Sequence, residues 1–257
     1  MGALLLTAVA TLVFCAPGYP GGAGDAQPFV DQFAAATVAS AGWPKGSLAA
    51  LYDPTEQGGI AKLANADAAL AFVPYAFWVQ HQAQLHLTAL AQADVVGVGT
   101  QERWSLIAKA GVVTAPASLS GFTILSVAGY APDFVRHSAL AAWALPPGVQ
   151  IEATGQILSA LRRVAAGEQV VALLDQTQAA ALPSLPFAAQ LHVVLQSSPV
   201  PVAILALVDS RLPTARAQSL KAALLKMGHD SADADTLAQL HLQGFVQPQL
   251  PGATAPP

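Results

Sequence analysis

The polar residues best suited to bind a ligand lie where one apolar run of the chain ends. Residues 122–127 form that run and include Ser126 near its end, and Gly129 and Tyr130 follow in a turn. The apolar spacing after the turn predicts a helix. A strand that enters a helix through a glycine turn directs free backbone N–H groups into a crevice, where a helix N-terminus favours negative charge. The stretch 119–140 therefore predicts an anion or small-ligand site, although such turns also occur with a purely structural role.

Residue types that catalyse reactions or bind metals are otherwise sparse. Cys15 is the only cysteine, so no internal disulfide can form, and its apolar neighbours favour a buried thiol. His81 and His86 are five residues apart, which is not the spacing of a helical metal pair. The chain contains no Gly-x-Ser-x-Gly and no Walker-type sequence. We therefore expect no metal, no cofactor and no catalytic residue.

Two further polar residues are candidates for a ligand site. Tyr19 lies in the loop 17–22, which is rich in glycine and proline, and could either contact a ligand or serve only in the loop. Asp175 follows the apolar run 170–174 and could simply N-cap a helix that starts near Gln178.

Composition favours a soluble protein with no affinity for nucleic acid. The chain has 257 residues, of which 54% are hydrophobic and only 10% charged, yet no stretch after residue 18 is as apolar as a spanning helix requires. Much of the hydrophobic excess is alanine. The net charge is -4, and the 11 lysines and arginines are scattered, so no basic stripe is available to follow a phosphate backbone.

Both ends of the chain carry segments that we expect to lie outside the folded unit. Residues 2–14 are apolar and include Ala8-Val9-Ala10, which resembles a signal-peptide cleavage site, but a positively charged segment before them is missing. Residues 11–15 fit a buried first strand, so at most residues 1–10 are expected to be a signal-peptide remnant. Residues 251–257 are predicted to be a disordered tail.

Apolar runs alternate with helical patterns along the chain, which is typical of an α/β fold. Sheets built this way carry their ligand crevice at the carboxyl ends of parallel strands. The predicted strands cover residues 11–15, 47–52, 68–73, 87–90, 104–108, 122–127, 170–174, 191–195 and 202–208. The predicted helices cover residues 25–41, 76–84, 149–165, 214–227 and 232–243, together with short ones after Thr55 and after Pro132.

The order and spacing of several segments resemble a known family. Those segments are NADAALAFVPYAF (65–77), SGFTILSVAGY (120–130), AGEQVVALLD (166–175), SPVP (198–201), LLKM (224–227) and QGFV (243–246). Together they are similar to the phosphate-, phosphite- and phosphonate-type substrate-binding proteins of ABC transporters, which are type II periplasmic binding proteins. The resemblance extends from about residue 11 to residue 246.

This resemblance implies a two-lobed fold, in which each lobe is a mostly parallel sheet flanked by helices. Lobe 1 is expected to comprise residues 11–98 and 203–250, and lobe 2 residues 99–202. The hinge crossovers are expected near residues 95–109 and 197–208. Hinge closure on a ligand would couple binding to a shape that a membrane partner recognises.

The resemblance also implies which residues contact the ligand. Tyr75 and Phe77 follow the third strand, where the family places an aromatic ring against the ligand, and Asp175 matches an acidic position that faces the cleft. Together with these, the expected ligand-binding residues are Tyr19, Ser126, Gly129, Tyr130 and Gln176.

One departure from the family bears on the ligand. Phosphonate binders carry a sequence like Ser-Thr-Ser-Gly-Tyr at the helix N-terminus, whereas this chain has Ser-Val-Ala-Gly-Tyr at residues 126–130. Each lost hydroxyl removes a possible charge-assisted hydrogen bond of about 1.5–3 kcal/mol. A phosphonate-like oxyanion remains possible, but a less charged and more apolar solute suits this cleft better.

The functional hypothesis is a monomeric, non-enzymatic, extracytoplasmic solute-binding protein that serves the permease of an ABC transporter. Three alternatives stay open at this point. The first is a ligand-sensing partner of a membrane histidine kinase, and the second is an enzyme that has recruited the cleft. The third is a degenerate member that binds a protein partner in place of a small molecule.

Overall fold

Strands and helices alternate along the chain in the computed structural model, which describes residues 9–19, 21–228 and 231–251. Of the predicted signal-peptide remnant, residues 1–10, only residues 9 and 10 are described, and Ala10 is buried at the start of the first strand. Of the predicted tail, residues 251–257, only Pro251 is described. The strands are β1 (Ala10–Cys15), β2 (Leu48–Asp53), β3 (Ala68–Pro74), β4 (Leu87–Val95), β5 (Gln101–Glu102), β6 (Ser105–Lys109), β7 (Thr123–Ser126), β8 (Gln150–Ala153), β9 (Val170–Leu174), β10 (Leu191–Gln196), β11 (Val200–Pro201), β12 (Ala203–Val208) and β13 (Leu242–Val246). The helices are α1 (Ala23–Ser40), α2 (Glu56–Leu63), α3 (Tyr75–His81), α4 (Pro132–Phe134), α5 (Ile157–Ala166), α6 (Gln176–Ala180), α7 (Thr214–Leu224) and α8 (Ser231–Gln239).

The first lobe is built on a six-stranded sheet in the order β13-β4-β12-β3-β1-β2. Strands β1, β2 and β3 run parallel, whereas β12 is antiparallel to β3 and β4, and β13 is antiparallel to β4. The sheet is therefore mixed and not mostly parallel as predicted. The parallel part still brings the carboxyl ends of β1, β2 and β3 to one edge, which is where a ligand crevice forms.

The second lobe is built on a five-stranded sheet in the order β10-β6-β9-β7-β8. Only β7 with β8 and β7 with β9 pair in parallel, since β6 is antiparallel to both β9 and β10. This sheet is also mixed, because its edge strand β10 and its neighbour β6 belong to the connections that run to and from the first lobe.

Two predicted helices were wrong in part. The helix predicted for residues 149–165 is the edge strand β8 followed by α5, with residues 154–156 between them. The helix predicted for residues 232–243 ends at Gln239, and the chain then enters β13 through His241, whose φ of 55° interrupts helical geometry. In both cases a short strand at the edge of a sheet has a polarity pattern that also fits an amphipathic helix.

Hydrophobic residues form three clusters, one of which crosses between the lobes. One cluster packs α1, α7 and α8 on the outer face of the first sheet, and another packs α5 on the outer face of the second. The largest contains residues of both lobes, among them Phe77, Trp104 and Phe134, all nearly inaccessible. Within the described residues, no helix combines the length and the apolar character needed to cross a membrane.

The connection between the lobes runs through a small ribbon. Strand β5 pairs antiparallel with β11, so that Glu102 lies opposite Val200 and Gln101 opposite Pro201. These residues belong to the two segments that join the first sheet to the second. A side chain on this ribbon, such as Glu102, is therefore held at the junction of the two lobes.

Candidate functional site

A cavity of about 660 Å³ lies between the two lobes. This size is within the range of pockets that enclose a small organic ligand. One wall is formed at the carboxyl ends of β1, β2 and β3, the opposite wall by the start of α6, and Glu102 of the ribbon lies between them. The lining residues are Phe14, Cys15, Ala16, Tyr19, Tyr52, Phe72, Val73, Pro74, Val95, Val96, Val98, Glu102, Asp175, Thr177, Gln178, Val202, Ala203 and His241.

Glu102 is a buried carboxyl group in this cavity, with 6% of the residue exposed. Its Oε1 accepts a hydrogen bond from the indole Nε1–H of Trp104 at 3.2 Å. Burial raises the pKa of Glu102 to about 8, and the nearby Asp175 carboxyl group adds to the rise, while hydrogen bonds from the Gln176 backbone and from Trp104 oppose it. At neutral pH this group holds a proton that it would lose if a positive charge approached.

Asp175 serves as a helix cap and also faces the cavity. Its Oδ1 accepts the backbone N–H of Gln178 at 2.8 Å, and the Gln178 side chain accepts the backbone N–H of Asp175, so the two form a capping box. The residue is 5% exposed. Burial raises the pKa of Asp175 despite the hydrogen bonds from the backbone of Gln178 and Thr177. The cap predicted for Asp175 is therefore present, and the same residue lines the cavity, while its contact with a ligand stays a prediction.

Tyr19 enters the cavity from the loop after β1. The preceding Gly18 has a φ of 83°, and a Cβ atom there would lie 2.6 Å from the carbonyl oxygen of Val127, so the loop backbone touches lobe 2 directly. Although 37% of the residue is exposed, burial of the phenol raises the pKa of Tyr19, and the carboxyl groups of Glu102 and Asp175 raise it further. Its hydroxyl group therefore stays protonated and available as a hydrogen-bond donor.

The rest of the cavity wall is mainly apolar and aromatic. Phe14 and Phe72 stand with their rings 5.2 Å apart in an edge-to-face contact, and Tyr52 lies beside them at the end of β2. No lysine or arginine is found among the described residues that line the cavity. His241 is exposed and is the basic side chain at this wall. The cavity is therefore an apolar chamber with two carboxyl groups at one side.

The predicted oxyanion turn after β7 does not open into this cavity. Ser126 is fully buried, donates its hydroxyl hydrogen to the carbonyl oxygen of Leu173 at 2.8 Å, and accepts the backbone N–H of Ala128. Gly129 is also buried, because a Cβ atom at this position would lie 2.2 Å from the backbone of Glu152 in β8. Both residues hold the turn against neighbouring strands.

Several backbone donors of this turn are already satisfied within the chain. The N–H of Gly129 binds the carbonyl oxygen of Ser126, and the N–H of Ala131 binds that of Ala128. Pro132 has no N–H, and the N–H of Asp133 donates to Oε1 of Gln80 in lobe 1 at 3.0 Å. The helix predicted to follow is short, since α4 passes after Phe134 into a single π-helical turn, Val135–Ala139. The geometry that would hold an oxyanion is therefore occupied by internal contacts.

Tyr75 and Tyr130 share a second, much smaller cavity. Its volume is about 10 Å³, which is close to the space of one water molecule. Tyr75 packs edge-to-face on Phe134 at a centroid distance of 6.1 Å, and Phe134 packs in the same way on Trp104 at 5.2 Å. Tyr19 and Glu102 line both cavities, so this packed zone is continuous with the larger chamber.

The remaining predicted site residues lie outside both cavities. Phe77 is fully buried in the core, where its ring lies 4.7 Å from that of His81. Gln176 begins α6, and its Oε1 accepts the backbone N–H of Arg103 at 3.3 Å, which ties α6 to the ribbon. Glu102 and Tyr52, by contrast, line the cavity without having been predicted. Glu102 lies in a short, glycine-containing segment, and its position depends on pairing with β11, for which the sequence carries no local signal.

Comparisons with known proteins identify the family. The profile of the ABC transporter, phosphonate, periplasmic substrate-binding protein matches residues 61–250. No curated protein matches the sequence. XAC2383 from Xanthomonas citri, solved bound to ATP, is 15% identical with a TM-score of 0.70, covering 95% of this chain and 92% of that one.

Two further solved structures are similar along nearly the whole chain. One is a binding protein component of an ABC phosphonate transporter from Pseudomonas aeruginosa, with 16% identity, a TM-score of 0.59, and coverage of 92% of this chain and 81% of that one. The other is PhnD1 from Prochlorococcus marinus in complex with methylphosphonate, with 12% identity, a TM-score of 0.59, and coverage of 93% of each chain. They confirm the predicted two-lobed type II fold. The chain belongs to the family of periplasmic substrate-binding proteins of phosphonate ABC transporters.

Proposed function

We propose that this chain is an extracytoplasmic solute-binding protein that closes its two lobes on a small ligand and presents the closed form to an ABC permease. The observation that carries the proposal is the 660 Å³ cavity, which takes its walls from both lobes and from the ribbon between them. We assign residues 11–98 and 203–250 to lobe 1 and residues 99–202 to lobe 2. A ligand that contacts both walls stabilises the closed arrangement over the open one.

Each wall contributes a different kind of contact. Tyr19 and Tyr52 of lobe 1 offer aromatic faces and hydroxyl groups, and Thr177 and Gln178 of lobe 2 offer polar side chains at the start of α6. Glu102 lies at the junction of the two lobes, so a ligand that contacts it also contacts the connection between them. Since the specific contacts are few and the apolar area is large, shape and one or two polar groups would determine selectivity.

The thiol in the cavity wall, that of Cys15, also supports a binding function without catalysis. Cys15 is buried, and burial raises the pKa of its thiol to about 12, with the carboxyl groups of Asp53 and Glu56 adding to the rise. A thiol with such a pKa stays protonated at neutral pH and is a poor nucleophile. Its Sγ donates to the carbonyl oxygen of Thr55, which is a structural role.

Thermal unfolding with a library of solutes tests this proposal. The library should include methylphosphonate, ATP, carboxylates, amines and nucleosides, because a solute present at 100 times its Kd adds about 2.7 kcal/mol to the free energy of unfolding. In parallel, Thr177→Trp places a large ring in the cavity and should abolish the stabilisation. Ala180→Trp, on the same helix but outside the cavity, should leave it intact.

Failure would take one of two forms. If no solute stabilises the parent protein, the chain does not act as a binding protein for these classes of solute. That result would favour the alternative in which a degenerate member of the family binds a protein partner. If a solute stabilises Thr177→Trp as much as the parent, binding occurs elsewhere than in this cavity.

A further inference from the structure

The cavity contains two buried carboxyl groups, Glu102 and Asp175, and no lysine or arginine among the described residues of its wall. This inference rests on the proposed function and concerns the class of its ligand. We propose that the cavity binds an organic cation, a protonated amine or quaternary ammonium on an apolar body, with the positive charge held between Glu102 and Asp175.

Three other acidic residues of the described chain, Asp53, Glu56 and Glu168, have a basic partner. Lys62 forms an ion pair with Asp53, and His81 lies 2.7 Å from Glu56. Arg163 likewise pairs with Glu168 on the surface at 2.7 Å. Within the described parts of the chain, no lysine, arginine or histidine forms an ion pair with Glu102 or Asp175, although both are more than nine-tenths buried. A charge removed from water without a partner is unfavourable, so the ligand is the natural source of the missing cation.

The aromatic wall of the cavity also favours an organic cation. The rings of Phe14, Tyr19, Tyr52 and Phe72 line the same chamber as the two carboxyl groups. The face of an aromatic ring attracts a cation, most strongly where water is excluded, and it also packs well against the hydrocarbon part of an organic amine. An inorganic ion such as Ca²⁺ suits the chamber poorly, because it takes six to eight oxygen ligands.

Anion binding is disfavoured because the hydrogen-bond donors of the β7–α4 turn are already engaged. The hydroxyl group of Ser126 and the backbone N–H groups of Gly129, Ala131 and Asp133 are all engaged within the protein. The space beside them is about 10 Å³. A phosphonate in the large cavity would instead lie beside two carboxyl groups, with no lysine or arginine from the described residues in the wall, so no cationic side chain would balance its negative charge.

The raised pKa of Glu102, about 8, agrees with this assignment but does not carry it. A cation close to the carboxyl group favours its charged form and lowers its pKa, so cation binding near neutral pH releases a proton. Asp175, Tyr19 and Trp104 are the groups that face Glu102, and His241 lies at the cavity wall. None of the three groups that face Glu102 is a basic side chain.

Three probes of one shape and different charge provide the test. Phenethylammonium, phenethyl alcohol and phenethylphosphonate share the same apolar body, and their affinities are measured by calorimetry at neutral pH. We expect the ammonium to bind at least about tenfold more tightly than the other two. Glu102→Gln and Asp175→Asn, which keep size and, for Asn, the capping oxygen, should each weaken ammonium binding by about tenfold or more. They should leave the alcohol almost unchanged.

A control variant separates a local charge effect from a general one. Glu168→Gln removes one negative charge from an exposed ion pair outside the cavity and should leave the ranking of the three probes intact. If the phosphonate or the alcohol binds the parent as tightly as the ammonium, or if Glu102→Gln and Asp175→Asn do not reduce the preference, the inference is overturned.

The outcome also distinguishes this inference from the proposed function. If a neutral or anionic solute binds and Thr177→Trp blocks it, the binding function stands and the cation assignment fails. If none of the three probes binds but another solute does, the charge of that solute decides: a cation supports the inference, and an anion or a neutral compound contradicts it. If no solute binds at all, both fail together.

Discussion

Carboxyl groups in this protein differ in their surroundings, and that difference separates structural residues from candidate ligand contacts. Burial acts to raise the pKa of Asp53, but hydrogen bonds from Lys62 and Thr55 outweigh it, and the pKa is lowered. Burial acts in the same way on Glu102, where no cation opposes it, and the pKa rises to about 8. The two residues have the same chemistry, so their surroundings decide which one stays charged: Lys62 and Thr55 stabilise the charge of Asp53, whereas burial and the nearby Asp175 disfavour a charge on Glu102.

The raised pKa of Glu102 predicts how the ligand-free protein responds to pH. The folded protein keeps the proton up to about pH 8, whereas the unfolded chain loses it near the ordinary value of 4.5. The native state therefore binds more protons between these values, and stability falls as pH rises through them. Glu102→Gln removes this dependence, so the variant should be more stable than the parent at high pH by about 1–3 kcal/mol.

Urea unfolding of the parent and the variant at several pH values measures this difference. Asp175, whose pKa is also raised, contributes a slope of the same sign in both proteins, so the comparison isolates Glu102. Glu168→Gln, in an exposed pair, should follow the parent at every pH. Parallel stability curves for the parent and Glu102→Gln would show that the carboxyl group is charged and solvated in the folded protein.

At the scale of elements, strands with two buried faces were predictable, whereas the edge strand β8 and part of the edge strand β13 were predicted as helix. Runs such as residues 68–73 and 170–174 are apolar throughout, because helices cover both faces of the sheet, and they were confirmed as β3 and β9. Strand β8 has three exposed residues and one half-buried residue at the edge of the second sheet, and the predicted helix included both this strand and the helix that follows. Local periodicity cannot separate these two cases, since the partner strand is distant in sequence.

The turn after β7 illustrates an element whose residues were predicted but whose contacts were not. Ser126 and Gly129 were expected to face a ligand, yet both pack against neighbouring strands. A hydroxyl group or a glycine at the end of a strand signals a tight turn, but it does not show whether the turn's donors remain free. That depends on the residue that approaches from the other lobe, here Gln80.

Gly129→Ala tests the assignment of this turn as a packed element. The added methyl group would lie 2.2 Å from the carbonyl carbon and oxygen of Glu152 in β8, and backbone atoms cannot move aside without disturbing the sheet. We expect a loss of about 1–3 kcal/mol in the free energy of unfolding, because overpacking costs this much in a well-packed core. Chemical denaturation of the variant measures it.

A matched change lies a short distance away. A Cβ atom at Gly155 would be 3.7 Å from the carbonyl oxygen of Gly18, which is ordinary contact, so Gly155→Ala should be tolerated. Should Gly129→Ala prove as stable as Gly155→Ala, the turn is looser than its contacts suggest and its N–H groups could reach a ligand.

At the scale of the whole molecule, the order of segments along the chain predicted the two-lobed fold and a crevice at the carboxyl ends of parallel strands, but it did not predict most of the residues that line the large cavity. The resemblance pointed to the β7–α4 turn, whereas the large chamber lies beside Glu102 and Asp175. Of the predicted site residues, Tyr19 and Asp175 line this chamber, and Tyr75 and Tyr130 line only its narrow extension. Beside the β7–α4 turn, aromatic side chains of both lobes pack together and leave a cavity of only about 10 Å³.

This aromatic contact should contribute to the balance between closed and open arrangements of the lobes. Phe134 of lobe 2 is fully buried and meets Tyr75 of lobe 1 at 6.1 Å and Trp104 next to the ribbon at 5.2 Å. Phe134→Ala removes both contacts and leaves a cavity between the lobes, so the closed arrangement loses more free energy than the open one. We expect small-angle scattering to show a larger radius of gyration for the ligand-free variant than for the parent.

Ligand affinity should fall in the same variant, even though Phe134 does not line the large cavity. When a smaller fraction of the protein is closed, the apparent Kd rises in proportion, and a saturating ligand should restore the radius of the parent. Leu220→Ala provides the control, since this residue is equally buried but packs α7 on the outer face of the first sheet, within a single lobe. It should lower stability by about 2–5 kcal/mol without changing the radius. If both variants lose stability and neither expands, the lobes are held together by contacts other than the aromatic ones, and closure does not depend on Phe134.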